Sequence, residues 1–192
     1  MNYVVLDVET KKLFDEVPGR NHALLGVSFV GIYESAADKY QGFYEEEIGK
    51  LWPILEQTDL VIGYNIKGFD WPVLNAYYSG NLSKLPTLDI LELIHNSLGF
   101  RLKLDDVAKA TLGKGKTGTG LDAYRFFKEG KLDLLRDYCL NDVKVTKEVY
   151  KYALSNGHVK YQDLGGVTKE VKLAMDDHLL TIKKDDHQMT LI

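Results

Sequence analysis

Tyr3-Val4-Val5-Leu6-Asp7-Val8-Glu9-Thr10 opens the chain, and the reading of this stretch decides the rest. An apolar, β-branched run suits a buried strand, because such side chains fit a pleated surface packed on both faces. Two carboxylates then interrupt it. Residues two apart on a strand point to the same face, so Asp7 and Glu9 stand side by side. Like charges at the edge of a core repel, and loss of water adds to the cost. A divalent cation with a preference for carboxylate oxygen, Mg²⁺ or Mn²⁺, offsets them most simply. Taken alone, Asp-x-Glu is more often a solvated strand end. Its meaning therefore depends on the acids elsewhere in the chain.

Leu24–Tyr33 and Lys39–Tyr44 read as further strands, joined by Ser-Ala-Ala-Asp. Short connections make the first three strands an antiparallel meander. Residues 11–22 are polar, contain Pro18 and Gly19, and read as a loop. Glu45–Gln57 reads as a helix with acids in its first turn and a kink or restart at Pro53. Asp59–Tyr64 is a fourth strand, a helix runs from Phe69 to Tyr78, and Pro86–Asp89 is a short fifth strand. The chain then turns helical over 90–98, 104–112, 121–129 and 131–155. Helices between strands imply a mixed sheet with helices packed on it. Alternation around Gly165-Gly166 predicts a C-terminal β-hairpin, and the polar residues from Lys183 onward are expected to fray.

At 192 residues, 45% hydrophobic and 27% charged, the chain has room for one α/β domain and a small appendage. The division expected is 1–155, with 156–192 as a hairpin extension and not an independent domain. A net charge of -4 announces no global basic field, although a local patch or a bound metal is compatible with it. The one cysteine, Cys139, excludes an internal disulfide and the multi-cysteine zinc and redox motifs. The five histidines lack metal-ligand spacing. No apolar run reaches about 18 residues, so no membrane span is expected. No basic-then-apolar leader is seen, which predicts an intracellular, cytoplasmic protein.

Two further clusters carry acids into apolar surroundings. Gly63-Tyr-Asn65-Ile-Lys-Gly-Phe69-Asp70-Trp-Pro comes after a strand and opens a helix. Asp70 there reads either as a helix cap or as part of a site at the sheet's edge. Asn65 reads as a substrate contact or a turn former. In the last long helix, Tyr138 and Asp142 are four apart and share a face with Leu134 or Leu135, Val145 and Val149. A carboxylate on that apolar face has to be paired, hydrogen-bonded or metal-bound. Asp7, Glu9, Asp70 and Asp142 converging on one sheet edge would repel strongly. Two divalent ions would relieve this, activate a water and stabilise the leaving oxygen of a phosphodiester.

Asp7-x-Glu9, Asn65-x-x-x-Phe69-Asp70 and Tyr138-x-x-x-Asp142 together resemble the three exonuclease motifs of the DEDD superfamily, whose fold is ribonuclease H-like. The tyrosine matches the DEDDy subgroup, which includes the proofreading domains of family B DNA polymerases. The resemblance spans about residues 3–152, and Leu104–Gly113 resembles the segment before the third motif. It implies a stand-alone, metal-dependent 3′–5′ exonuclease. The expected substrate is single-stranded nucleic acid with a free 3′ end, DNA favoured over RNA, and the product is a nucleoside 5′-monophosphate. Asp7 would bridge two Mg²⁺ or Mn²⁺ ions. Glu9 and Asp142 would complete the site of one ion and Asp70 would hold the other. Tyr138 would position the attacking water, since a phenol with an ordinary pKa near ~10 is a poor base at neutral pH. Asn65, Phe69 and Thr10 are expected substrate contacts, and Phe69, Tyr64 or Trp71 could stack on a terminal base.

Lys114 and Lys116, in the glycine- and lysine-rich stretch 113–120, read either as phosphate contacts or as a solvated turn. Gly115-Lys116-Thr117 is not a P-loop, because Ala110 occupies the required glycine position and a helix precedes it. Two other functions compete with the enzyme: a catalytically silent nucleic-acid-binding or scaffold module on the same fold, and a small-molecule phosphatase. The latter leaves Tyr138 and Asp142 unexplained. The C-terminal hairpin is a possible protein-partner surface.

Overall fold

Alternation along β1 (Tyr3–Thr10) buries Val4, Leu6 and Val8 on one face and leaves Asp7 and Glu9 on the other. The computed structural model describes residues 1–114 and 120–175. The chain groups into two compact units, Met1–Asp89 with Lys116–Lys147 and Ile90–Gly115 with Glu148–Ile192.

The first unit is built on a five-stranded mixed sheet in the order β3-β2-β1-β4-β5. β2 (Val27–Glu34) pairs antiparallel with β1, and β3 (Lys39–Phe43) antiparallel with β2, which forms the expected meander. β4 (Leu60–Gly63) adds parallel to β1, and β5 (Thr87–Asp89) parallel to β4. α1 (Trp52–Glu56) and α2 (Asp70–Leu74) belong to this unit. So do α5 (Gly120–Lys128) and the first part of α6 (Leu132–Asn156). Val4, Leu6, Val8, Val30, Ile32 and Trp71 share the larger core, whereas Phe29, Leu135, Tyr138 and Cys139 pack in a second one. The carboxylate face of β1 is therefore the face that meets α6.

β1 and β2 slip register near the site. Glu9 faces Phe29 but Thr10 faces Val27, so Ser28 is the extra residue of a β-bulge. Bulges concentrate where a strand end must re-aim its side chains. At the next ladder position on this face Asp7 lies opposite Gly31. A Cβ on Gly31 would come within 2.9 Å of Cys139 Sγ and 3.1 Å of Val143 Cγ2. The missing side chain lets α6 lie close to the sheet.

In the second unit, α3 (Ile90–Leu98) and α4 (Leu104–Leu112) accompany the end of α6 and the hairpin β6 (His158–Gln162) and β7 (Thr168–Lys172). The Thr111 hydroxyl accepts from Lys160 N–H at 2.9 Å and so covers the open edge of β6. Val159 and Val171 are buried. Among the described residues no helix is long and apolar enough to cross a membrane.

Three local expectations need correction. Glu45–Gln57 is not one helix but a 3₁₀ segment, Glu45–Lys50, followed by α1, with Pro53 in the first turn, where its missing N–H costs nothing. β2 begins at Val27 rather than Leu24, because a 3₁₀ turn occupies His22–Leu24 and the next residue but one, Gly26, has φ +67°. α2 stops at Leu74 instead of reaching Tyr78. Asn75 takes the C-cap, and its side chain accepts from Leu82 N–H at 2.9 Å, drawing the chain away from the helix.

Candidate active site

The strand period sets Asp7 and Glu9 on one face, and the helical period sets Tyr138 and Asp142 on one side of α6. Gly31 brings those two elements together. The result is a carboxylate cluster: one oxygen each from Asp7, Glu9 and Asp142 lies within 4.8 Å of the others. Asp142 and Tyr138 are buried, while Asp7 and Glu9 are partly buried.

Asp70 joins from α2. It is the first helical residue, the N-cap position belongs to Phe69, and no side chain caps the helix. The capping reading of Asp70 is thereby excluded. The carboxyl is 4% exposed, and burial, then the Asp7 charge, push its pKa above the ordinary carboxylate value. The turn that delivers it is held from behind. Asn65 adopts φ +68° and donates its backbone N–H to Asp89 Oδ1 at 2.8 Å, and Lys67 N–H reaches Asp89 Oδ2 at 3.1 Å. Asp89 is thus a turn anchor. Trp71 is not a base-stacking candidate: it is 1% exposed, and its indole N–H donates to Thr87 Oγ1 at 3.1 Å.

A raised Asp70 pKa fixes the sign of a pH effect. The folded state holds this proton more tightly than the unfolded chain does. The associated stability is present below the unfolded value near ~3.9 and is lost as pH rises through the raised one. In EDTA, the melting temperature should therefore fall as pH rises above the ordinary carboxylate range. Asp70→Asn should flatten that slope. An unchanged slope in thermal melts of this variant would remove Asp70 as its source.

Tyr138 responds to the same field. Burial, then the charges of Asp142, Glu9 and Asp7, push its pKa well above the usual phenol value. The hydroxyl is protonated across the physiological range. It can donate a hydrogen bond but cannot serve as a base.

All four carboxylates and Tyr138 line a cavity of about 270 Å³, together with Thr10, Asn65 and Phe69. The Thr10 hydroxyl donates to Lys12 O at 2.9 Å and so also fastens the strand end. Lys114 comes after α4 in the second unit and is exposed, and Lys116 lies outside the described residues.

Two groups in the site escape sequence reasoning. Phe14 lines the cavity and packs edge-on against Phe69, with ring centroids 6.0 Å apart. The only signal for it is the Leu13-Phe14 pair within the polar stretch 11–22. Cys139 places its buried thiol 3.4 Å from both the backbone oxygen and Oδ2 of Asp7, behind the carboxylate. Burial, then the Asp7 charge, push that thiol's pKa up, so it stays protonated and donates.

A family model described as RNase_H superfamily matches residues 4–154. The chain belongs to the RNase H superfamily. The match takes in the sheet, the four acids and Tyr138, and it agrees with the ribonuclease H-like fold expected from the motifs. No curated protein matches the chain. Among solved structures, this RNase H-like chain is similar to the family B DNA polymerase from the hyperthermophilic archaeon Pyrobaculum calidifontis, with a TM-score of 0.62 and 19% identity. The likeness covers 80% of this chain and 24% of the polymerase. It is also similar to Trypanosoma brucei RNase D, with a TM-score of 0.57 and 13% identity, over 80% of this chain and 58% of that one. The chain thus spans about a quarter of the polymerase and under two thirds of RNase D. At these identities the likeness is one of fold.

The acids suit a hard cation. Oxygen donors converge from two elements, and the fourth carboxyl is driven toward its neutral form by burial and the Asp7 charge beside it.

Proposed function

We propose that this RNase H superfamily member is a metal-dependent nuclease that removes nucleotides from the 3′ end of single strands, DNA in preference to RNA, as DEDDy-type exonucleases do. The observation that carries the reading is the meeting of Asp7, Glu9 and Asp142 within 4.8 Å, with Asp70 and Tyr138 in the same cavity.

Asp7, Glu9, Asp70 and Asp142 would hold two divalent cations, Mg²⁺ or Mn²⁺, which when bound supply an activated water and stabilise the leaving oxygen. The protein's own groups do the rest. Tyr138, kept protonated, donates its hydroxyl hydrogen bond to orient the attacking water. Cys139 holds the Asp7 carboxylate from behind. Phe69 and Phe14 offer aromatic surface to the terminal base, a contact that tolerates any sequence. Asn65 and Thr10 supply polar contacts to the last nucleotide.

Product analysis tests the direction of attack. A strand ending in a free 3′-hydroxyl should release nucleoside 5′-monophosphates, and a 3′-phosphorylated strand should resist. Release of oligonucleotides from the strand interior would instead indicate an endonuclease.

Cation binding should also stabilise the fold, because ions that bind only the native state shift unfolding by mass action. At about one hundred times Kd the gain is about 2.7 kcal/mol. We expect millimolar Mn²⁺ to raise the melting temperature of the wild type, and to do so far less in Asp7→Ala. An equal shift in both would place the stabilising ion elsewhere.

A further inference from the structure

A second cavity, of about 300 Å³, opens at the bulge in β2 and is lined by Ser28, Lys11, Tyr44, Phe127 and the run Glu45–Glu47. Ser28 is 2% exposed, and its buried Oγ has no hydrogen-bond partner among the described residues. A buried hydroxyl left in that condition keeps the cost of its lost water without a compensating bond. Such groups in native structures call for a specific explanation, a bound molecule among them.

Most of the charge around Ser28 is already committed. The Lys11 ammonium pairs with Glu45, whose carboxylate also accepts from the Tyr77 hydroxyl. Glu47 is paired with Lys50 at 2.7 Å. The Tyr44 ring is fixed edge-on against Phe29 at 5.0 Å, and its hydroxyl donates to Leu132 O. The cavity therefore offers an inner hydroxyl, the acceptor-only carboxylate of exposed Glu46, and two aromatic rings.

We propose that this cavity receives a nucleobase bearing an exocyclic amino group, from a nucleotide upstream of the 3′ end that is cut. The proposal rests on the exonuclease reading and adds a base preference to it. Position supports it. Ser28 adjoins Phe29, the ladder partner of Glu9, and Lys11 lies two residues beyond Glu9, about 7 Å along the chain. Charge supports it as well, because carboxylates repel phosphates but not an uncharged base. The Glu46 carboxylate at the cavity's rim can only accept, which suits the amino groups of adenine and cytosine, whereas thymine and uracil carry a carbonyl oxygen at the equivalent place; the Ser28 hydroxyl, which both donates and accepts, can bond either kind of base. Aromatic walls match the stacking by which splayed-out single-stranded bases are held.

The test is fluorescence anisotropy of end-labelled oligo(dA), oligo(dC) and oligo(dT) of one length on the full-length wild type in EDTA, where no metal-dependent hydrolysis occurs. Oligo(dA) and oligo(dC) should bind about tenfold tighter than oligo(dT), the discrimination of one well-formed base contact. Glu46→Gln, whose amide can also donate, should reduce that ratio toward unity, and Ser28→Ala should weaken the binding of all three strands. Equal binding of all three strands by folded wild type would overturn the base site, even if the same protein degrades them once metal is added. A base preference without degradation would support the site and remove the exonuclease reading. NMR mapping separates the remaining occupant: a shift of the Ser28 amide with argininamide but not with oligo(dA) would assign the cavity to a basic peptide and overturn the proposal.

Discussion

Asp142→Asn should lower the rate of hydrolysis by at least about a thousandfold, since loss of one ligand removes several kcal/mol of transition-state charge stabilisation. The substitution is nearly isosteric, so α6 should keep its place. Stability should move the other way. Asp142 is 2% exposed and shares its space with Asp7 and Glu9. Removing one of three crowded negative charges relieves repulsion in the metal-free protein. The melting temperature in EDTA should therefore hold or rise, and the gain on adding Mn²⁺ should shrink. A variant that is both inactive and markedly less stable in EDTA would show that Asp142 serves the fold and not a cation. Steady-state hydrolysis and thermal melts on the same preparation separate these outcomes.

Gly31→Val should damage both fold and site. Its Cβ would fall 2.9 Å from Cys139 Sγ and 3.2 Å from Leu140 Cδ2, and the two γ-methyls add further bulk. Overpacking of this kind typically costs about 1–3 kcal/mol, equivalent to a drop of several degrees in the melting temperature of a chain of this size, on the order of 2–4 °C per kcal/mol. The larger effect should be on activity. Tyr138, Cys139 and Asp142 all ride on α6, so outward movement of that helix widens the carboxylate cluster. Geometry errors near ~1 Å can cost about a hundredfold in rate. Cys139→Ala in the Gly31→Val background should recover part of the stability by removing the nearest atom. No change in the rate of Gly31→Val would mean that α6 does not set the spacing of the acids.

Much of this arrangement is legible in the sequence because it comes from period alone. A spacing of two on a strand puts Asp7 and Glu9 together, and a spacing of four on a helix aligns Tyr138 with Asp142. Both hold whatever the rest of the chain does. The contact between the two elements is not legible, because it depends on the absence of a side chain at Gly31, and one glycine in a strand carries no local signal of the helix that crosses it. A single cysteine in the sequence says only that disulfide and multi-cysteine motifs are excluded. The position of Cys139 behind Asp7 emerges when the helix meets the strand. Ser28 is hidden for another reason. A bulge changes register without changing composition, and the nearly continuous buried run of β2 has no alternation that an extra residue would break. Trp71 reads in the sequence as a base platform because its neighbours Phe69 and Asp70 belong to the site. One residue of helical rotation turns it into the core instead.

Incubation of 5′-labelled single-stranded DNA and RNA of one sequence with Mn²⁺, Mg²⁺ or EDTA, beside Asp7→Ala, bears most directly on the carboxylate cluster as a 3′-end nuclease site. The expected result is a ladder that shortens from the 3′ end with metal, is stronger for DNA, and is absent both in EDTA and in the variant. The same ladder from folded Asp7→Ala, or from the wild type in EDTA, would contradict it.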